Sequence, residues 1–399
     1  MKFIQLFTLI LLTSFFFACK QDTKQAATTP PPPAPEAAPP AGPKPEVYLF
    51  ATTVDKLNLR DQPNKTGKVV TQIAEGAFLE GTGEVSANKE DAELRGISYT
   101  EPYFKVTSTT PEQHNGWAYG GALQRVYAGS RTTSPDLGKL TQLTSFLKTL
   151  NAKKLDSGKK AWDYVTANFS DSKGTLADAA FILLEGFLSR MEREGEFYKM
   201  TENFKWADAD YEAISDEKFD MNKYPHTKSL AQNGFRLETG EGMIFPIVDW
   251  AKLTGFFAQK ATPPMKMYLE QELLEQKEKA WDDGGVIIGL DKVAERAFFW
   301  EKFNREHPYF LRSEQTLESQ RWTKITVING SDNTPSYDYE TKVVNEDYKK
   351  VWTDILQKYP GTQLAKDVKT ISDLYASEGW KRTKKVEDFI TQYIDGMYK

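Results

Sequence analysis

The chain has 399 residues, 40% of them hydrophobic and 13% aromatic, enough apolar mass for a sizeable buried core, which excludes a wholly disordered protein. Its 51 lysines and arginines are outnumbered by 56 aspartates and glutamates, a formal charge of −5, which argues against nucleic acid as a partner and against charge-driven adhesion to anionic lipid. A single cysteine excludes an intrachain disulfide framework and a cysteine-rich zinc site.

The first predicted element is an export signal. Lys2 precedes an apolar run from Phe3 to Phe17, too short to cross a ~30 Å hydrocarbon core as a stable helix, and Ala18 then leads into Cys19. "FFAC" resembles the lipobox of bacterial lipoproteins, with Phe16 where leucine is commoner. The resemblance implies a signal peptide at 1–18 and lipidation of Cys19 as the mature N-terminus. By likeness to Gram-negative lipoproteins, Lys20 implies the outer membrane. Each buried methylene contributes about 0.8 kcal/mol, so two or three acyl chains hold a protein almost permanently. Acylation uses the only sulfur of cysteine, so the mature chain has no thiol nucleophile, and loss of Lys2 takes the formal charge from −5 to −6.

Residues 19–45 read as a disordered tether. Its core, "TTPPPPAPEAAPPAGPKPE" at 28–46, offers nothing to pack, and its prolines favour extended polyproline II, a spacer of roughly 60 Å at ~3.1 Å per residue.

From Glu46 the texture changes to short alternating stretches: "VYLFATTV", "LNLRDQP", "KVVTQIAEG", "AFLEGTGEV", "YFKVTS" and "GWAYGGALQRV". These predict about five short strands and a small β-barrel over 46–128. The order Leu57, Asn58, Leu59, Arg60, Pro63, Gly76, Tyr103, Phe104, Val106, Gly116, Trp117, Ala118, Leu123 resembles the bacterial SH3 family. That resemblance implies an SH3-like barrel and a peptidoglycan peptide as one class of ligand, and it departs at 84–102, a long polar insertion between strands. Tyr48, Tyr99, Tyr103, Trp117 and Tyr119 are candidate stacking platforms, and Arg60 a candidate carboxylate partner. In so small a barrel the same rings also serve as core, Trp117 especially.

From Ser134 the period becomes helical. Ser134 as N-cap and Pro135 at the first helical position would open a helix with Leu137, Leu140, Leu143, Leu147 and Leu150 on one face. Further helices are predicted near 159–168, 175–194, 246–258, 263–281, 291–306, 314–324, 346–358, 363–377 and 384–397, with a minor strand at 323–330. The "YP-x-x-x-x-A" connection at 359–365 resembles a tetratricopeptide hairpin, but a single hairpin makes no array. The expected architecture is therefore multidomain: a small all-β SH3-like barrel, then a mainly α-helical domain at 134–399 of unassigned role.

Chemistry is sparse in the helical part. His114, His226 and His307 are far apart and fit no zinc-peptidase spacing, so neither metal nor cofactor is expected. The least ordinary stretch is "NGFRLETGEGMIFPIVDWAKL" at 233–253, where Glu238, Glu241 and Asp249 invite comparison with the paired carboxylates of glycoside cleavage. The alternative is a tight turn at Gly240 and Gly242, with the acids solvated or capping the next helix. "WDDGG" at 281–285 lacks the acids of a calcium loop, and Tyr337 and Tyr339 sit in a long turn at 329–340. The expected function is non-catalytic binding or scaffolding near peptidoglycan by a lipid-anchored envelope protein. Two alternatives stand beside it: a wall hydrolase using Glu238, Glu241 and Asp249, and a docking protein for another envelope protein.

Overall fold

Alternation at period two builds the first half of the molecule, which is seen in a computed structural model describing residues 44–110 and 112–398. Cys19, the stretch 1–18 expected to be a signal peptide and nearly all of the expected tether lie outside the described residues. Seven strands follow: β1 (Val47–Thr52), β2 (Leu57–Arg60), β3 (Val69–Ile73), β4 (Phe78–Leu94), β5 (Ile97–Ser108), β6 (Asn115–Tyr119) and β7 (Leu123–Gly129). They form one antiparallel sheet in the order β3-β2-β6-β5-β4-β1-β7. No ladder joins β3 to β7, so the sheet is open.

The polar insertion at 84–102 is not a loop. It extends β4 and β5 into a ribbon whose register runs to Leu94 opposite Ile97. Arg95 and Gly96 close it with φ of +53° and +75°, the two-residue turn that matches strand twist.

The second half is mainly helical: α1 (Leu137–Thr149), α2 (Asp156–Phe169), α3 (Thr175–Glu194), α4 (Lys199–Glu202), α5 (Asp208–Ser215) and α6 (Pro225–Gln232). A hairpin of β8 (Phe235–Gly240) and β9 (Met243–Val248) interrupts it. Then come α7 (Trp250–Phe257), α8 (Pro263–Lys277), α9 (Leu290–Glu306), α10 (Ser313–Asn329), α11 (Glu346–Lys358), α12 (Gln363–Ser377) and α13 (Lys384–Gly396). Among the described residues no helix is long and apolar enough to cross a membrane.

Several sequence expectations are corrected here. The first helix is capped by Asp136, whose side chain accepts from Lys139 N at 3.1 Å, not by Ser134. Residues 246–248 are strand rather than helix, because Leu237, Ile244, Pro246 and Val248 alternate towards one apolar side. Helix α10 continues through the β-branched stretch at 325–328, so no strand forms there before Gly330. Burial of Val327 and Ile328 overrides their strand preference, and Thr323 and Thr326 donate back to carbonyls four residues earlier.

The expected division near residue 130 is not a break in packing. Val47, Leu49 and Ala51 on one face of β1 join the core of α1, α2 and α3, while Tyr48 and Phe50 on the other face join the core within the sheet. The described residues accordingly pack as one compact unit. A third core gathers α11, α12 and α13 with the ends of α9 and α10. Helix α9 serves two cores, its N-terminal half giving Val293, Ala294 and Ala297 to the third and its C-terminal half giving Trp300 and Phe303 to the first.

One buried carboxylate ties helices together within the first core. Asp178 in α3 accepts from Thr262 N at 2.9 Å and Thr262 Oγ1 at 2.6 Å, just before α8. Burial pushes its pKa up to about 6, against the donated hydrogen bonds. Between pH about 4 and about 6 the folded chain therefore holds a proton that the unfolded chain has lost, and stability falls as pH rises through that window. Asp178→Asn is expected to flatten this part of the stability–pH curve and to raise stability at pH 7 by roughly 2 kcal/mol. Urea melts of both chains at pH 4, 5, 6 and 7 check it; parallel curves would refute the assignment.

Candidate functional site

The ribbon is pinned from below. Tyr119 Oη lies 2.7 Å from Glu90 O and 2.9 Å from Tyr99 O, one on each ribbon strand, and Glu101 N donates to it at 3.3 Å. Tyr103 packs edge-on against Tyr119, its hydroxyl 3.2 Å from Glu90 Oε2, and burial beside that carboxylate pushes its pKa up to about 12. At the far end Arg95 pairs with Glu75 at 2.8 Å and Glu194 at 3.6 Å. Arg190 of α3 meets the same two acids at 2.9 and 3.0 Å. The four charges are all less than a third exposed, so their mutual order fixes the ribbon tip on α3.

Between ribbon, β7, α3 and the start of α10 lies a cleft of about 430 Å³. Bare backbone at Gly120 and Gly121 lets the ribbon close over the turn that joins β6 to β7. A Cβ at Gly120 would fall 2.8 Å from Pro102 O, and one at Gly121 2.9 Å from Tyr99 Cγ. Gly186 does the same for α3, where Gln124 Nε2 reaches Ile182 O at 2.8 Å.

The lining is charged with both signs: five arginines (Arg95, Arg125, Arg190, Arg193, Arg312) and four glutamates (Glu101, Glu185, Glu194, Glu314). Arg312 pairs with Glu185, which also accepts from Ser189 Oγ at 2.6 Å, and burial pushes the Arg312 pKa down to about 10. Arg125 lies over the rings of Tyr48 and Phe50 at 5.7 and 5.9 Å, with Nη1 3.3 Å from Ser313 Oγ. Burial lowers its pKa too, opposed by nearby Glu314. Glu101 is raised by burial first and by Glu314 second. The Nε atoms of Arg125 and Arg312 are buried and find no hydrogen-bond partner among the described residues.

Of the six ring and arginine candidates read from the sequence, Tyr99 alone lines this cleft. Tyr103 and Tyr119 anchor the ribbon and are buried. Tyr48 is core beneath Arg125. Arg60 donates to Gly67 O at 2.6 Å and lies opposite Trp117 in the sheet, while Trp117 carries Lys105 over its ring at 5.7 Å. Arg60 thus braces the β2–β3 turn, and Trp117 is its strand neighbour.

The three acids of the hydrolase alternative do not converge. Glu241 occupies the hairpin tip at φ +50° with Gly242 at +73°, and Glu238 lies opposite Phe245, 3.4 Å from Lys279 Nζ. Asp249 sits at the opposite end, capping α7 through Lys252 N at 3.1 Å. At ~3.3 Å per strand residue, Asp249 stands roughly 20 Å from Glu241, against the ~5 to 9.5 Å that glycoside cleavage requires, and Glu238, nearer the tip, is paired with Lys279. Asp249 is thus a helix cap and Glu241 part of a tight turn.

Burial lowers the pKa of His226 and of His307, in separate aromatic surroundings. Among the described residues no group of three or more histidine, cysteine, aspartate or glutamate side chains is placed to hold a metal ion. Tyr337 and Tyr339 pack on each other at 5.4 Å with Lys342 over both rings. No family model, curated protein or solved structure matches the chain.

Proposed function

We propose that this is a lipid-anchored protein of the bacterial cell envelope, tethered through Cys19, that binds cell-wall peptide without cutting it. Its N-terminal sheet is read as an elaborated SH3-like barrel, on the order of residues from Leu57 to Leu123 that resembles the bacterial family. The added ribbon and α3 then shift the binding face from the barrel's own surface to the junction.

The observation that carries this reading is the junctional cleft. It is walled by sheet and helix, offers aromatic faces at Tyr99 and Phe104, and presents arginines and glutamates together. A cell-wall peptide is extended and bears carboxylates and amines, which such a lining can receive. Among the described residues no histidine, cysteine, lysine or aspartate lines the cleft, and the one carboxylate beside Ser189, that of Glu185, is paired with Arg312.

Incubation of the purified chain with sacculi tests the reading. The expected result is co-sedimentation with no soluble muropeptide released. Release that Glu241→Gln abolishes would establish the hydrolase instead. Failure to sediment, with cross-linking to one envelope protein, would establish the docking alternative.

A further inference from the structure

The pairing of charges inside the cleft says what its ligand must carry. Arg95 and Arg190 are matched to Glu75 and Glu194, and Arg312 to Glu185. Four charged lining residues remain: Arg125, Arg193, Glu101 and Glu314. None of them has an ion pair among the described residues, and the hydrogen bonds of the Arg125 guanidinium go to neutral oxygens of Phe310 and Ser313. Two positive and two negative groups thus face one cleft without a salt bridge among the described residues, Glu314 acting on Arg125 only at longer range.

Glu314 stands nearest the middle of the set, close enough to act on both Arg125 and Glu101. Glu101, on the ribbon, and Glu314, at the start of α10, line the cleft from opposite walls, and the Glu101 pKa is raised by burial first and by Glu314 second, against Lys89. An ammonium between them would relieve the repulsion between the two carboxylates, and the rings of Tyr99 and Phe104 offer it further electrostatic attraction. Arg125 on β7 and Arg193 on α3 supply guanidinium groups suited to a carboxylate. A purely anionic ligand would meet Glu101 and Glu314, and a purely cationic one would meet Arg125 and Arg193.

We propose that the cleft takes a zwitterionic peptide, its free ammonium received by Glu101 and Glu314 and its carboxylate by Arg125 and Arg193. The inference rests on the reading of the cleft as the peptide site and adds that a free amine is required. In chemical terms the ligand is a short peptide containing a diamino acid whose side chain is not cross-linked.

Isothermal titration of the full-length chain with the N-acetylated tripeptide Ac-Ala-Glu-Lys, and with the same peptide acetylated also on the lysine Nε, tests it. The free-amine peptide is expected to bind at least tenfold more tightly. Glu314→Gln and Glu101→Gln are each expected to weaken it five- to twentyfold and to leave the doubly acetylated peptide unchanged. Glu314 and Arg193 are exposed, so Glu314→Gln and Arg193→Gln leave the core untouched. Equal affinity for both peptides, lost on Arg193→Gln, would overturn the amine requirement while keeping the cleft as the site. Sacculi that sediment the chain while neither peptide binds would remove the cleft reading along with it.

Discussion

Replacing Trp352 with alanine is expected to cost about 3 to 5 kcal/mol and to release the C-terminal helices before the rest of the molecule. Trp352 is 1% exposed at the centre of the third core. It stacks on Tyr375 with centroids 5.5 Å apart, touches Tyr348 and Trp380, and donates Nε1–H to Val327 O at 2.8 Å. The substitution therefore removes packing, opens a cavity and strands a buried carbonyl at once. Because α9 shares residues with the first core, the loss should be partly confined. Thermal melts are expected to split into two transitions, with amide exchange accelerating first in α11, α12 and α13. A single transition displaced as a whole would show that the two cores unfold as one.

Arg312→Met alone is expected to destabilise the chain by about 3 to 5 kcal/mol, because it leaves the Glu185 carboxylate buried without its cation. Adding Glu185→Leu should restore most of that loss. The pair costs desolvation at both ends, visible in the lowered Arg312 pKa, and an apolar pair of similar volume avoids it. The double substitution should nonetheless weaken peptide binding, since both residues line the cleft. Denaturant midpoints of the four chains close the cycle. Additive losses would mean that the two groups do not depend on each other.

Much of the helical half is legible in the sequence, because leucines such as Leu140, Leu143 and Leu147 recur at helical spacing and bury as that spacing demands. The ribbon is not, since "EVSANKEDAEL" has charged residues on both faces and no apolar side for alternation to reveal. The hairpin β8–β9 is missed for a different reason: "MIFPIVDWAKL" runs apolar across a strand and into a helix, and period alone does not divide them. Least legible is the cleft. Arg95, Arg125, Arg193 and Arg312 lie on a turn, a strand, a helix and a connection far apart in the chain, and only topology assembles them. The aromatic candidates stand out by type, yet where a sheet packs both on itself and on helices, as at β1, such rings are mostly structural.

Helix α9 also sets an order in time. A chain emerging from its N-terminus has Tyr268 and Glu275, the partners of Trp300, already in hand when α9 appears, and Phe310 follows within a few residues to meet Phe303. Val293, Ala294 and Ala297 must wait for α11 and α12, which follow later in the chain. For that interval a half-docked helix shows a greasy stripe to whatever is nearby, the natural moment for a holding chaperone to engage.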